Sequence, residues 1–278
     1  MKTILITGAS SGVGLATTKI LAAKGHKIIM ICRNVEKALD IVENLQKEHP
    51  DYDLDVIGMD LEDLQSIVSG TKYIISKYEA LDVIINNAGG IFSEREITMN
   101  GFEKAFQVNH LGHFLLTVRL LPLLLESTES RVINLSSEYH RRGKIDIDNL
   151  NGEKKFGGWM QYGNTKLMNI VFAKALANKY QSKGLNAFSV HPGVVRTGFG
   201  SNNTGLLGLF NKMPFLITPE KGAETSVFLA TEDIKNLKNG GYYKSAKLAS
   251  ADLQAHDTDN QEKLWEKSEA MLKAKGFL

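Results

Sequence analysis

Hydrophobic positions along the chain follow two alternating patterns. Short apolar, β-branched runs such as Val83-Ile84-Ile85 alternate with longer segments in which apolar residues recur at helical spacing. This alternation predicts a parallel sheet with helices on both faces, because uninterrupted apolar strands suit a sheet covered on both sides. The predicted strands are 3–7, 27–32, 54–59, 82–86, 131–136, 186–191 and 241–243. The predicted helices are 12–24, 35–48, 63–78, 99–127, 160–183 and 219–231, with a surface helix at about 258–275.

These ranges predict an α/β fold with one doubly wound parallel sheet of about seven strands, in a single domain over residues 1–278. Two segments interrupt the alternation, about 138–159 and the glycine-rich, apolar 198–217. Long irregular segments inside a compact domain are usually functional or mobile. We predict that about 198–218 forms a lid over a lipophilic substrate; the alternative is a flap that packs its own core.

Composition narrows the classes of function. A net charge of +2 spread over 278 residues, without a basic block, gives no reason to expect nucleic acid as a partner. The single cysteine, Cys32, excludes an internal disulfide and a zinc site of several thiolates, and fits a cytoplasmic protein. The longest apolar stretch, 114–125, contains Arg119 and Pro122 and is shorter than the roughly 20 residues that a membrane span needs. We therefore expect no membrane span and no signal peptide.

A glycine-rich turn follows the first predicted strand. The strand leads into Thr7-Gly8-Ala9-Ser10-Ser11-Gly12-Val13-Gly14, and a helix begins near Gly12. Such a turn places free N–H groups of a helix N-terminus where a dinucleotide pyrophosphate binds. The alternative is a plain turn between two elements. The strand–turn–helix order favours the nucleotide, and the predicted contacts are Gly8, Ser10, Ser11, Gly12, Val13 and Gly14.

The end of the second strand favours NADP(H) over NAD(H). NAD-binding folds often place an acidic residue here, for the adenosine ribose. This chain instead has Cys32, Arg33 and Asn34. A guanidinium can hydrogen-bond a 2′-phosphate in bidentate fashion, whereas a carboxylate would repel it. The alternative is that Arg33 merely precedes a solvated helix.

Tyr162 and Lys166 lie four residues apart in a predicted helix, so a phenol and an ammonium share one face. A nearby cation is expected to lower the pKa of a tyrosine from about 10 and make it a usable acid or base. Ser137 follows the fifth strand, at the sheet edge where ligands bind in α/β folds. Asn109 lies in the middle of a helix, where asparagine is locally unfavourable, which indicates a hydrogen-bonding role.

Two more strand ends reach the same edge. Asn86-Asn87-Ala88-Gly89 closes the fourth strand with small residues that permit a close approach to a cofactor, with an Asx turn as the alternative. His191-Pro192-Gly193-Val194-Val195-Arg196-Thr197 leaves the sixth strand, where the Val195 backbone and the Thr197 hydroxyl would meet a nicotinamide carboxamide. The predicted contacts are Asn87, Ala88, Gly89, Pro192, Gly193, Val195 and Thr197.

Taken together, these motifs resemble the short-chain dehydrogenase/reductase family over nearly the whole chain. Thr7–Gly14 matches the family's cofactor loop, and Asn86–Gly89 its N-N-A-G segment. The resemblance implies a Rossmann-type fold, adenine contacts at Asp60 and Leu61, and a catalytic set of Asn109, Ser137, Tyr162 and Lys166. Within the family the chain is similar to the retinol dehydrogenase and WW-domain oxidoreductase branch, through Cys32-Arg33-Asn34, 108–114 and 136–140. We expect neither a WW module nor the N-terminal membrane anchor of some retinol dehydrogenases.

The resemblance implies a carbonyl reductase or alcohol dehydrogenase that acts on a small lipophilic aldehyde, ketone or alcohol. Ser137 would hold the substrate oxygen and Tyr162 would transfer a proton to it. Lys166 would tune Tyr162 and bind the nicotinamide ribose, Asn109 would hold a relay water, and no metal is expected. Related enzymes often assemble through long helices, so a homodimer or homotetramer is a candidate assembly.

Other classes fit the sequence less well. A non-catalytic NADP(H)-sensing or scaffold protein would be free to lose the catalytic residues, all of which are present. A sugar-nucleotide epimerase would need a large C-terminal substrate domain. A hydrolase would need a Gly-x-Ser-x-Gly turn, which is missing. His110 and His113 lack a third zinc ligand near them in the sequence, so packing roles are predicted instead.

Overall fold

The computed structural model describes residues 1–195 and 216–278. Over these residues, eight strands form one sheet in the order β3-β2-β1-β4-β5-β6-β7-β8. Strands β1 to β7 are parallel, and β8 pairs antiparallel with β7. The strands are β1 Thr3–Thr7, β2 Lys27–Cys32, β3 Leu54–Gly58, β4 Val83–Asn86, β5 Arg131–Leu135, β6 Asn186–His191, β7 Tyr242–Lys244 and β8 Lys247–Ala249.

Helices cover both faces of this sheet. The helices are α1 Gly12–Ala23, α2 Val35–Glu48, α3 Leu64–Lys77, α4 Lys104–Phe106, α5 Gly112–Glu126, α6 Gly158–Tyr180, α7 Pro219–Thr231 and α8 Thr258–Ala274. One apolar cluster lies between the sheet and α3, α5, α6 and α8, and a second lies between the sheet and α1, α2 and α7. The predicted doubly wound α/β fold is therefore confirmed, with a Rossmann-like sheet.

Two element predictions differ from the structure. The short strand β8 was missed because its side chains are exposed and it therefore lacks an apolar run. The helix predicted at 99–127 begins at Lys104, because Gly101 has a φ of +83° and Glu103 caps the helix with its carboxylate. Between α4 and α5 the helix widens into a π-helical turn, Gln107–Leu111, and such turns are frequent at functional sites.

The continuous helical segment Lys104–Glu126 is longer than the apolar stretch 114–125 considered in the sequence. Its 23 residues are long and apolar enough to cross a membrane, by length and composition only. Its most apolar window is 72% buried inside the protein, as expected for a helix that contributes to a core. The predicted lid at about 198–218 lies outside the described residues except for 216–218.

Candidate active site

The carboxyl ends of β1, β4, β5 and β6 meet at one edge of the sheet, because these strands are parallel neighbours. In open α/β sheets this edge is where ligands bind. The sequence motifs leave the sheet there: the glycine turn after β1, the Asn87–Gly89 loop after β4, Ser137 after β5 and Pro192 after β6. The sheet order thus brings together residues that are far apart in the sequence.

The glycine turn has the geometry that a pyrophosphate requires. Gly8 and Gly12 have φ angles of +66° and +51°, which a side chain would strain. A Cβ on Gly14 would lie 2.3 Å from the Gly8 carbonyl oxygen. Any residue other than glycine at this position would therefore push α1 away from the turn. Ser11 precedes α1 without a side-chain cap, which leaves the first N–H groups of the helix for an anion. These residues fit a dinucleotide.

The predicted adenosine-binding residues lie beside this turn. Arg33 follows β2 and is exposed, whereas Asn34 caps α2 by accepting a hydrogen bond from the Lys37 N–H at 2.9 Å. The Asp60 carboxylate, after β3, accepts the Glu62 N–H at 3.0 Å. Leu61 is buried, and its carbonyl oxygen accepts from the Gln107 side chain at 3.2 Å. Arg33 is the one cation in this set, since Asp60 is acidic.

Thr7 fixes the loop after β4. Its hydroxyl accepts the backbone N–H groups of Asn87 and Ala88 at 2.9 and 3.0 Å, and its carbonyl accepts the Asn87 side-chain amide at 2.7 Å. A Cβ on Gly89 would lie 2.7 Å from Asn109 Oδ1 and 3.4 Å from Lys166 Nζ. Glycine is therefore required at position 89, where the loop passes Asn109 and the catalytic helix α6, which carries Lys166.

Asn109 is fully buried in the π-helical turn. Its Oδ1 accepts the Gly90 N–H at 2.8 Å, and its Nδ2 donates to the Gly90 carbonyl and the Thr165 hydroxyl at 2.9 and 3.1 Å. The hydrogen-bonding role expected from its unfavourable helix position is present. Its side chain holds protein groups on both sides, and its predicted relay water stays a prediction.

Ser137, Tyr162 and Lys166 converge beside the end of β5. Lys166 Nζ lies 5.6 Å from the centre of the Tyr162 ring and donates to the Leu135 carbonyl at 3.1 Å. The Ser137 hydroxyl hydrogen-bonds the Tyr162 phenol. The Ser136 hydroxyl donates to the Lys166 carbonyl at 2.7 Å, which ties α6 to β5. The arrangement places a phenol, a hydroxyl and an ammonium together.

The electrostatics of this group differ from the sequence-based expectation. Burial raises the pKa of Tyr162, and the hydrogen bond from Ser137 opposes this only partly. Burial also lowers the pKa of Lys166 to about 8. The expectation that Lys166 lowers the pKa of Tyr162 is therefore wrong for the chain by itself, because burial of the phenol has the largest influence on its pKa and the opposing influence comes from Ser137. Tyr162 is protonated at neutral pH.

The loop after β6 is only partly described. Pro192, Gly193 and Val195 lie beside α7, and Val195 pairs with Ile217 in an isolated bridge. Gly193 has a φ of +93°, and a Cβ there would lie 2.5 Å from Ile217. Thr197, the last predicted nicotinamide contact, lies outside the described residues.

Several contributors to the site were not predicted. Glu103 is fully buried; it caps α4 and accepts the side-chain amide of Gln161 at 2.9 Å, which fixes the residue before Tyr162. Tyr139 and Trp159 flank Tyr162 with ring centres 6.2 and 6.3 Å from it. The aromatic residues stand in the irregular segment 138–159, so aromatic content was the available signal. The sequence contains no such signal for Glu103, because only the folded chain brings its partners near it.

No cluster of metal-ligating residues occurs in the parts of the chain that the structure describes. His110 and His113 are both buried. Burial lowers their pKa values to about 4 and about 3, so both are neutral at physiological pH. Their side chains bond to Ser268 and Thr7 respectively and do not face one another as a ligand pair.

Comparison with known proteins agrees with this geometry. The family model described as short chain dehydrogenase matches residues 2–205. Retinol dehydrogenase 11 from Homo sapiens is 35% identical over 268 residues, which cover 96% of this chain and 84% of that protein. Retinol dehydrogenase 12 from Mus musculus is 37% identical over 267 residues, which cover 95% of this chain and 84% of that protein.

Solved structures share the fold. An uncharacterized protein from Mycobacterium paratuberculosis matches with a TM-score of 0.78 and 28% identity, over 98% of this chain and 94% of that one. NADPH-bound carbonyl reductase from chicken fatty liver matches with a TM-score of 0.68 and 20% identity, over 90% of this chain and 99% of that one, and so supports the fold alone. Given the family match and the identity across nearly the whole length, this chain belongs to the short-chain dehydrogenase/reductase family and is an alcohol/carbonyl oxidoreductase that uses NAD(P).

Proposed function

We propose that this protein is an NADP(H)-dependent carbonyl reductase or alcohol dehydrogenase for a small lipophilic molecule, with Ser137, Tyr162 and Lys166 as its catalytic residues. The observation that carries the proposal is the convergence of these three side chains at the carboxyl edge of the sheet. The Ser137 hydroxyl contacts the Tyr162 phenol, and Lys166 Nζ lies 5.6 Å from the Tyr162 ring. A carbonyl oxygen bound between the two hydroxyls would be within proton-transfer reach.

A nicotinamide coenzyme, when bound, would supply the hydride in the reducing direction. Ser137 orients the substrate oxygen by a hydrogen bond, and Tyr162 donates the proton that the oxygen acquires. Because burial raises the pKa of Tyr162, the phenol arrives protonated and suits this role. The Lys166 ammonium then stabilises the phenolate that proton transfer leaves behind. In the oxidising direction the same groups accept the proton.

The coenzyme preference rests on Arg33. It is exposed at the end of β2, where NAD-binding folds often carry an acidic residue. Across the neighbouring turn, the unfilled N-terminus of α1 suits the pyrophosphate. An adenosine 2′-phosphate beside β2 would meet the guanidinium without a competing ion pair, since none of the salt bridges among the described residues includes Arg33.

The proposal of a lipophilic substrate is supported by the aromatic side chains around Tyr162. Tyr139 and Trp159 lie 5.2 Å apart between ring centres and both face the phenol. Trp159 is 38% exposed, so a substrate that covers its ring would remove apolar surface from water. The relatives named retinol dehydrogenases make retinoid alcohols and aldehydes natural members of a test panel.

Location and assembly belong to the same proposal. A cytoplasmic location is supported by the single cysteine, Cys32, which is buried and free. A homodimer or homotetramer stays a prediction. Helix α8 packs on α6 through Trp265, whose ring lies 6.0 Å from Phe172, so it covers part of the helical surface through which such an assembly would form.

The test is coenzyme consumption with a panel of aldehydes, ketones and alcohols graded in apolar area, under NADPH, NADH and their oxidised forms. We expect turnover with NADPH that increases with apolar area and is lost in Tyr162→Phe. Coenzyme binding without turnover on any panel member would instead identify a sensing or scaffold protein. Turnover that prefers charged substrates would contradict the lipophilic assignment.

A further inference from the structure

The His113 ring lies between the end of β1 and the π-helical turn and bonds to both. Its ring is 1% exposed, in the first turn of α5. Nε2 lies 2.9 Å from the Thr7 hydroxyl, at the end of β1. Nδ1 lies 3.2 Å from the Asn109 carbonyl oxygen, in the π-helical turn. One ring therefore bridges two elements of the site.

The Asn109 carbonyl fixes the tautomer of this ring. A carbonyl oxygen can only accept a hydrogen bond, so Nδ1 carries the proton. Burial lowers the pKa of His113 to about 3, and the hydrogen bond to the Asn109 carbonyl, which raises it, offsets this only in part, so the ring is neutral and Nε2 carries no proton. Nε2 must then accept from Thr7.

The Thr7 hydroxyl leads to the same conclusion from the other side. It accepts two backbone N–H groups, from Asn87 and Ala88. Two lone pairs are thereby used, and the hydroxyl proton is left to be donated. His113 Nε2 at 2.9 Å is the acceptor for it. Both ends of the ring independently require the Nδ1–H tautomer.

The chain of hydrogen bonds continues to the catalytic helix. Asn109 Nδ2 donates to the Thr165 hydroxyl at 3.1 Å, which in turn donates to the Tyr162 carbonyl at 2.9 Å. The loop after β4, the end of β1, the π-helical turn and α6 are thus connected in series. Thr7, Asn109, His113 and Thr165 are all buried, where an unmade hydrogen bond is costly.

We propose that His113 is a positioning residue that sets the distance between the coenzyme-binding loops and the Tyr162–Lys166 pair, through the Thr7 and Asn109 hydrogen bonds. The inference rests on the proposed function for its effect on turnover. Its structural content, a neutral Nδ1–H ring that joins the two loops, can be tested without turnover. The resulting roles are separable: the Thr7 bond acts on the coenzyme side and the Asn109 bond acts on the catalytic side.

The first measurement is the ¹⁵N spectrum of the histidine rings in the full-length protein at pH 7, with His113 assigned from its loss in His113→Phe. We expect a neutral ring that is protonated on Nδ1. A ring that is protonated on Nε2, or on both nitrogens, would overturn the proposal. This result does not depend on any substrate, so failure of the proposed reaction leaves it interpretable.

The second measurement compares three variants of His113. Phe keeps the ring shape and removes both bonds, Asn places an amide near Nδ1, and Gln places an oxygen near Nε2. We expect His113→Phe to lower kcat and NADPH affinity by roughly tenfold each, the effect of one hydrogen bond of about 1.4 kcal/mol. His113→Asn should recover kcat, and His113→Gln should recover NADPH affinity, measured by coenzyme fluorescence.

His110→Phe is the matched control. His110 is equally buried and neutral, but it bonds Ser268 of α8 and packs among Phe106, Phe114 and Phe172. We expect it to change the melting temperature and leave kcat and NADPH affinity unaltered. If all three His113 variants behave alike, or if His113→Phe retains wild-type kcat and affinity, His113 is a packing residue and the proposal is wrong.

Discussion

The two ends of the cofactor groove are built in different ways. At the adenosine end, Arg33 and Asn34 are exposed, and within the described parts of the chain the Asn34 and Asp60 side chains bond only to residues two or three positions away. At the nicotinamide end, Asn109 and Lys166 are buried and bond to residues 19 to 56 positions away. The hydrogen bonds at the adenosine end are therefore local and exposed to solvent, whereas those at the nicotinamide end form only when the whole chain is folded.

This difference has a physical consequence. A buried polar group is stable only with its hydrogen bonds made, so each group at the nicotinamide end constrains its neighbours. An exposed side chain can exchange its partners for water at little cost. Coenzyme preference should therefore change without loss of stability, while catalysis and fold stability should change together.

The largest effect is expected from Tyr162→Phe. Removing the phenolic proton donor should lower kcat by about 10²–10⁴-fold, the usual contribution of general acid catalysis. NADPH affinity should change little, because the ring remains. Steady-state kinetics and coenzyme fluorescence measure the two effects separately.

Tyr180→Phe is the control for this variant. Tyr180 ends the same helix but lies beside Trp265, far from the site. It should retain wild-type kcat. If Tyr162→Phe and the wild type have equal kcat, Tyr162 is not the proton donor, and the proposed mechanism is wrong.

Arg33→Ala should have the next largest effect. NADPH affinity is expected to fall by one to three orders of magnitude, or about 1.5–4 kcal/mol, while NADH affinity barely changes. The free energy of unfolding should stay within about 0.5 kcal/mol of wild type, since Arg33 is exposed. Lys47→Ala, at the far end of α2, is the control and should alter neither affinity. Equal losses for both coenzymes would contradict the 2′-phosphate assignment.

The same contrast explains how much could be predicted from the sequence. Strand–turn–helix order and strand ends are local patterns, so the positions of the glycine turn, Asn87–Gly89 and Ser137 after β1, β4 and β5 could be predicted. The fold class follows from alternation alone. By contrast, the direction of the Tyr162 pKa shift depends on burial, and burial is a property of the assembled protein. Glu103 and His113 likewise have partners that only the fold brings near them.

A third prediction concerns acid stability. His110 and His113 have pKa values lowered to about 4 and about 3 in the folded state, so between those values and 6.5 the unfolded chain binds more protons. Their neutral packing is therefore fully favourable above pH 6.5 and is lost as the pH falls. Each should remove about 2 kcal/mol from the free energy of unfolding at pH 5.

Denaturant unfolding at pH 7.5 and pH 5 measures this effect. The drop between the two pH values should be smaller in His110→Phe and in His113→Phe than in wild type. Arg33→Ala should show the wild-type drop, since the adenosine end holds no buried histidine among its named residues. An unchanged drop in both histidine variants would mean that neither ring is buried in neutral form.

The last prediction concerns the pH dependence of reduction. Burial lowers the pKa of Lys166 to about 8, and the protonated ammonium is the form that stabilises a phenolate at Tyr162. Catalysis should therefore be level below about pH 8 and fall as the pH rises through that value, by about tenfold per unit for a single proton. Coenzyme phosphates favour the charged lysine and would shift the midpoint upward. Lys166→Arg, which stays protonated, should give a lower but level rate to pH 10. A falling limb that is unchanged in Lys166→Arg would assign the titration to another group, and the buried ammonium would then have no measurable part in proton transfer.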